Sequence, residues 1–341
     1  MIVDDGQTLA AVEGAVAAGG AAVLCPLAAS PAAATDRLVI ALWQAAAMSG
    51  TPQRVAADTG GPLAAGAWAE VVVAAEAGVS PYAALREVTG SGVVLTGPVA
   101  CLTLGGGSLR GQHGRRWQAA RGNLHLSVAV PCDLDAVTCA PSLPMLAAVA
   151  LCDAVEDLIG AAQAHAAGLG IKWVNDVVLA GGKAGGVLTS LRTRGTRVEV
   201  YFAGLALNLA RAPDLGADAF ALPASALAAS GAGAPLGRAT AAVLARLRRR
   251  LDEVATDGVD GLVEAYRSRS LVLGREVEVW PDGVREALVA DPLVPLPPPE
   301  RRGTVVAIRP DLSLRLAGQE RLVTAGCLRL AGGPGDRGPT R

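Results

Sequence analysis

The stretch Ile171-Lys-Trp-Val-Asn-Asp-Val-Val-Leu-Ala-Gly-Gly-Lys-Ala-Gly-Gly-Val-Leu188 decides how this chain is read. Short apolar runs lie either side of Ala180-Gly-Gly182, and Asn175 and Asp176 are turn formers, so the segment predicts strands joined by tight turns. Such a hairpin places Lys172 and Lys183 near each other at one end. Of the chain's 30 basic residues only these two are lysines. An ammonium group is a compact charge with freely rotating donors, suited to following a phosphate or carboxylate as charge moves during a reaction. The plainer reading is a pair of hairpin surface charges beside two turn residues. Against it stands the use of arginine everywhere else.

Upstream, Gly105–Trp117 is a loop with five glycines and Arg110, Arg115 and Arg116. Glycine lets backbone N–H groups approach an anion, and arginine neutralises phosphate or carboxylate. The loop does not fit the Gly-x-x-x-x-Gly-Lys-Ser/Thr phosphate-binding pattern, so by itself it is a weak signal.

Around these segments the pattern is regular. Glu70–Ala75 reads as a strand, Pro81–Val88 as a helix with proline in its first turn, and Val93–Thr103 as strand-like, broken at Pro98. Asn123–Val130 alternates, with Leu124, Leu126, Val128 and Val130 on one face and Asn123, His125, Ser127 and Ala129 on the other. Pro144–Ile159 and Arg238–Val254 predict long helices, and Gly170–Asn175, Val177–Leu179, Gly185–Leu191 and Arg197–Leu209 predict successive antiparallel strands. The Arg246–Arg250 run reads as a solvated helix face. Short strands at Glu276–Trp280, Gly303–Arg309, Leu312–Leu316 and Glu320–Thr324, with a Pro-rich excursion at Pro292–Pro299, suggest a small β-barrel. The fold class is therefore α+β: a mixed, largely antiparallel sheet packed with helices, followed by the barrel. Residues 1–66 form an Ala/Gly-rich extension of unknown role with a candidate helix at Thr35–Ser49, and the tail 331–341 is expected to be disordered.

Composition mainly excludes. The 341 residues are 51% hydrophobic with a net charge of −1, and no strongly apolar run reaches the roughly 20 residues that span a bilayer. The acidic start is unlike a basic presequence, so a cytoplasmic protein without a membrane partner is expected. Near-neutral balance argues against a nucleic-acid partner, and the five acidic and two basic residues of 1–66 do not suit a DNA-reading helix. Six scattered cysteines lack any Cys-x-x-Cys, so no structural metal or disulfide framework is expected. His125 and Ser127 share a strand face, but no acid is placed to orient the ring, which leaves Ser/His/Asp hydrolysis unsupported.

Lys172-Trp-Val-Asn-Asp176, followed by Gly182-Lys-Ala-Gly-Gly-Val-Leu188, resembles the Lys-Trp-Pro-Asn-Asp…Lys-x-x-Gly-Ile-Leu signature of biotin protein ligases. Arg110-Gly-Gln-His-Gly-Arg-Arg-Trp117 is similar to that family's adenylate loop, Gly122–Ser127 to its next strand, and Gly204-Leu-Ala-Leu-Asn208 to its Gly-Ile-Gly-Ile-Asn strand. Tyr266–Arg275 resembles the join to its C-terminal SH3-like barrel. The resemblance runs in order from about Ala67 to Leu330. It implies a class II synthetase-like biotin/lipoate ligase domain over 67–268 and an SH3-like barrel over 269–330.

The resemblance implies two steps: biotin and Mg-ATP give biotinyl-5′-AMP, and a lysine of a carboxylase's biotin carboxyl-carrier domain then takes the biotin. It implies Lys183 as the residue bridging biotin carboxylate and α-phosphate, Lys172 as phosphate support, and Asp176 as a holder of Mg²⁺ or an orienter of Lys172. Arg110, Gly111 and Gln112 would close over the adenylate, Trp117 would anchor the loop, and Arg115 and Asn175 would join the ATP site. Ser80, Gly107, Gly186, Gly204 and Ala206 would border biotin, and Asn208 would meet the adenine edge. The sequence departs from the signature in several places: only Ser80 remains of the segment bordering the biotin ring, Gly107 replaces a glutamine, Leu109 a glycine and Gln112 an arginine. Val174 replaces proline and Ala206 glycine. A lipoate or other acyl-adenylate ligase, or a catalytically impaired ligase-like protein binding an acyl-nucleotide or carrier, stays open as an alternative. So does the choice between monomer and homodimer.

Overall fold

The computed structural model describes residues 80–331 apart from 107–108, 112–113, 116, 215–217 and 292. It also describes residue 68, the strand at 70–74 and the backbone strands at 2–3, 22–26 and 53–57. The strands are β1 (Ile2–Val3), β2 (Ala22–Pro26), β3 (Gln53–Ala57), β4 (Glu70–Ala74), β5 (Val99–Thr103), β6 (Leu124–Asp135) and β7 (Gly170–Lys172). They continue with β8 (Asp176–Leu179), β9 (Gly182–Arg194), β10 (Arg197–Leu207), β11 (Glu276–Trp280), β12 (Arg301–Ile308), β13 (Leu314–Leu316) and β14 (Cys327–Leu330). The helices are α1 (Pro81–Gly90), α2 (Ala136–Cys139), α3 (Leu143–Ile159), α4 (Ala161–Ala166), α5 (Leu236–Asp257), α6 (Asp260–Ser268) and α7 (Val284–Ala290).

Among the described residues ten strands form one sheet in the order β2-β3-β1-β4-β5-β6-β10-β9-β8-β7. Only β1/β4 and β4/β5 are parallel, so the mixed, largely antiparallel sheet expected from the sequence is present. Backbone strands from residues 1–66 pair at its β4 edge. The candidate helix at Thr35–Ser49 and the tail from 332 lie outside the described residues.

The two faces of the sheet explain the pattern of β6. Leu124, Leu126, Val128 and Val130 enter the main core with α3, while Ala129 joins Tyr82, Ala84 and Leu85 of α1 on the opposite face. All residues from Leu124 to Val130 are buried, because helices or a cavity wall cover both sides. Helix α3 begins with proline in its first turn and ends at Gly160, whose φ of 87° a β-carbon would disfavour. Leu143, Leu146 and Leu151 are fully buried, each contributing about 2 kcal/mol of burial.

Helix α5 packs on α3 through Val243, Leu244, Leu247 and Leu251, one stripe at helical spacing. The arginine run is not the simple solvated face expected from its charge. Arg248 and Arg249 pair along α5 with Asp252 and Glu253, but Arg246 crosses to Asp157 and Arg250 to Asp153 of α3. Asp153 is 3% exposed and also accepts Arg269, so its buried charge is neutralised twice.

The C-terminal module is a four-stranded antiparallel sheet in the order β13-β12-β11-β14. Glu320–Thr324 is not a strand; Val323 alone bridges to Leu314. Its place is taken by β14, which pairs with β11. The segment between β11 and β12 carries α7 ahead of the Pro-rich stretch.

The module is tied to the large sheet at β7. Ile171 exchanges backbone hydrogen bonds with Arg269 and Leu271, and the Trp173 indole donates to the Leu312 carbonyl at 2.7 Å; beside them the Tyr266 hydroxyl of α6 donates to the Val174 carbonyl at 2.8 Å. Cys101, Cys132, Cys139, Cys152 and Cys327 are free thiols. No helix among the described residues is long and apolar enough to cross a membrane.

Candidate active site

The segment that opened the sequence reading folds as β7, β8 and the start of β9. Ala180 and Gly181 connect β8 to β9 with positive φ at both positions (51° and 74°), the twist that a two-residue hairpin needs. A bulge between Val177 and Val178 shifts the β8/β9 register, so that Asp176 faces Gly186 and Val178 faces Lys183. In β7, Lys172 faces Asp176. Both lysines thus converge on one carboxylate. Lys183 Nζ lies 2.5 Å from Asp176 Oδ1, and the buried Lys172 Nζ donates to the Phe220 carbonyl at 3.0 Å.

The electrostatics follow from this packing. Burial pushes the Lys172 ammonium down, and Asp176 opposes the shift. Burial alone would raise the Asp176 carboxyl, but Lys183 and Lys172 outweigh it and hold the group below its ordinary value. Asp176 is therefore ionised at neutral pH and holds Lys183 in place.

A cavity of about 240 Å³ opens in front of this pair. Its floor is the face of β6, β10 and β9 carrying Ser127 and His125, Gly204 and Ala206, and Gly186. The register places Ala206 between His125 and Gly186. Gly186 is small for a reason: a Cβ there would lie 3.3 Å from Lys183 Cε and 3.5 Å from its Nζ. At Gly204 a Cβ would stand 3.5 Å from the Tyr82 ring. Burial pushes His125 down to about 4, so the imidazole is neutral at pH 7.

Arg110, Gly111, Arg115 and Trp117 form another wall. Two backbone bonds, Gly111 N–H to the Arg115 carbonyl at 2.7 Å and Trp117 N–H to the Leu109 carbonyl at 3.0 Å, close this loop on itself. The Trp117 ring lies under Lys183 Nζ, 5.4 Å from its centroid, so the tryptophan joins the loop to the lysine pair. Ser80, Asn175 and Asn208 also reach the cavity. Asn208 is held from behind: its amide donates to the Ser225 carbonyl at 2.9 Å and its oxygen accepts from Asn123 at 3.3 Å.

Of the residues singled out by sequence, Gly107 and Gln112 lie outside the described residues. Lys172 is the one placed differently from expectation. It stands behind Asp176 rather than on the cavity wall, because its ammonium is drawn to the Phe220 carbonyl. Sequence reasoning missed Tyr82, Asp218 and Arg285, which also line the cavity. Tyr82 follows the helix-starting Pro81 and could have been suspected next to Ser80. Asp218 and Arg285 carry no local pattern.

The charge balance of the wall favours anions. Arg110, Arg115, Lys183 and Arg285 face two carboxylates, Asp176 and Asp218. Lys183 and Arg285 already engage those carboxylates, and among the described residues no three His, Cys, Asp or Glu side chains come together as a metal group. Through its ion pair Asp176 anchors Lys183.

Comparison with known proteins agrees with this geometry. The profile of the Biotin/lipoate A/B protein ligase family matches residues 106–208, the span that contains most of the cavity wall. A biotin–(acetyl-CoA-carboxylase) ligase of Mycobacterium tuberculosis is 32% identical over 218 residues, covering 62% of this chain and 75% of that relative. The chain belongs to the biotin protein ligase family. A ligase of the same name from Paracoccus denitrificans is 41% identical over 108 residues, 32% of this chain, and that match spans less than half (43%) of the relative. The biotin protein ligase of Aquifex aeolicus, solved in complex with biotin and ATP, shares the family fold with a TM-score of 0.52. That match has 19% identity and covers 77% of this chain and 96% of the other.

Proposed function

We propose that this member of the family is an ATP-dependent biotin–protein ligase acting on the biotin carboxyl-carrier domain of a carboxylase. The observation that carries the reading is the position of Lys183, its ammonium fixed by Asp176 on the cavity floor beside Gly186 and over Trp117. There one cation can meet two anions, the carboxylate of an acyl substrate and the α-phosphate of ATP. In the first step a carboxylate oxygen attacks the α-phosphorus, the bond to the β-phosphate bridging oxygen breaks, and pyrophosphate leaves with the electron pair. Lys183 offsets the charge that gathers on the equatorial oxygens. In the second step the carrier's lysine amine attacks the acyl carbon, an amide forms, AMP leaves and the amine loses its proton.

The chain's other residues position and shield. The end of the cavity lined by Tyr82, Leu188, Gly204 and Ala206 is apolar and suits a fused ring with an aliphatic arm. The loop around Arg110 closes the opposite wall, where excluding water protects a mixed anhydride from hydrolysis. The names of the two relatives favour a biotin carrier as acceptor.

The test is ATP–pyrophosphate exchange with biotin or lipoate as the acid. Exchange with biotin is expected. Exchange with lipoate alone would transfer the reading to the alternative acyl substrate, and exchange with neither acid would overturn it.

A further inference from the structure

The strand face that floors the cavity continues beyond it, under α1. Register sorts the residues of that face into rows across β6, β10 and β9. His125, Ala206 and Gly186 form the row beside Lys183, Ser127, Gly204 and Leu188 the next, and Ala129, Phe202 and Ser190 the one after. Neighbouring rows are two residues apart along a strand, about 7 Å. The first two rows line the cavity. In the third, Ala129 and Phe202 are covered instead by α1, in the cluster they share with Tyr82, Ala84 and Leu85.

Tyr82 stands on the boundary between cavity and cluster. It lines the first and packs in the second, with 8% of its surface exposed. Its ring lies over Gly204 in the middle row, close enough that a Cβ there would stand 3.5 Å from it. The Arg86 guanidinium, one helical turn further along α1, sits 5.9 Å from the ring centroid. At the tip of the ring the phenol meets the Ser190 hydroxyl of the third row, which opposes the upward push of burial on the Tyr82 pKa. The ring is therefore held by β10, by its own helix and by β9.

We propose that Tyr82 determines how long an acid the site accepts, its ring acting as a stop between the second and third rows. The inference rests on the ligase reading, which places the acid's carboxylate at Lys183. An acid held there at one end reaches the middle row and meets the ring with the other. Lengthening its arm drives the far end into Tyr82, and a ring packed into a dense core does not yield without cost. Removing the ring joins the third row to the cavity.

The experiment compares biotin with its homologue carrying two extra methylenes in the acyl arm. Both are measured as kcat/KM in ATP–pyrophosphate exchange by the full chain and as acid affinity by calorimetry, in the parent, Tyr82→Phe, Tyr82→Leu and Tyr82→Ala. The parent is expected to prefer biotin by about tenfold or more. Tyr82→Phe keeps the ring and with it the preference. Tyr82→Ala brings the two acids to within about threefold, through a gain with the longer one, and leaves the KM for ATP unchanged. Tyr82→Leu keeps an apolar side chain in the α1 cluster and shifts the ratio the same way, which preserves the test should the alanine variant fail to fold. A parent that does not discriminate between the acids overturns the proposal. So does an equal loss for both acids in the variants, which assigns Tyr82 to support of the fold. Failure of the ligase reading looks different: the parent then shows no biotin-dependent exchange, while the affinities for the two acids still report on Tyr82.

Discussion

The two ends of the cavity are built by different rules. At the hairpin end, strand register alone brings Lys172, Asp176 and Lys183 together within twelve residues of sequence. At the opposite end, Ser80 and Tyr82 from the start of α1 meet Gly204 of β10 and Leu188 of β9, segments more than 100 residues apart. The charged end is local and held by ion pairs. The apolar end is non-local and held by packing. A substitution at the first should change the chemistry, and one at the second should change which acid is accepted.

The largest effect separates them most sharply. Lys183→Ala should lower biotin-dependent ATP–pyrophosphate exchange by about a thousandfold, the scale of losing a charged group that stabilises the transition state. The fold should persist, because Lys172 still faces Asp176. An unchanged exchange rate in a folded variant would remove Lys183 from the chemistry.

Next comes His125, which stands on the floor between the two ends. Its ordinary value is near 6.5 and burial lowers it to about 4, so the unfolded chain binds the extra proton first as pH falls. Its contribution is fully present above about pH 6.5 and is lost between there and pH 4. At pH 5 the folded state should be weaker by about 2 kcal/mol from this group, a cost that His125→Phe removes. Denaturant midpoints at pH 7 and pH 5 for both proteins would show it. Equal acid sensitivity in parent and variant would rule out His125 as the source.

The smallest effect belongs to the apolar end. Gly204→Ala adds a methyl at ordinary contact distance from Tyr82, so stability should change little. The KM for biotin should rise by about tenfold, the scale of one methyl in a shaped pocket, with the KM for ATP unchanged. A matching rise for ATP would mean that the two ends are not independent.

The same contrast explains what could be read from the sequence. The hairpin, the alternation of β6 and the long helices α3 and α5 each announce themselves within a short window. The Asp218–Arg285 pair does not, since nothing near either residue encodes a partner 67 positions away. Helix α7 is seven residues long and hides between Gly283 and the Pro-rich stretch. β14 offers only four residues of alternation beside a Gly-rich tail, which is why Glu320–Thr324 looked the better strand. Charge was legible where it was scarce, in the two lysines, and misleading where it was common. Arg246 and Arg250 look like surface residues in sequence yet fasten α5 to α3.

The contacts at β7 carry a consequence for how the protein could be divided. A cut after Ser268 falls between two regions that look separable, but it would strip β7 of its backbone partners at Arg269 and Leu271. It would also remove the Leu312 carbonyl that accepts from the Trp173 indole. Trp173 adjoins Lys172, so the damage would reach the lysine pair directly. The two regions are therefore expected to melt together, and a shortened chain to be a destabilised protein rather than a smaller enzyme.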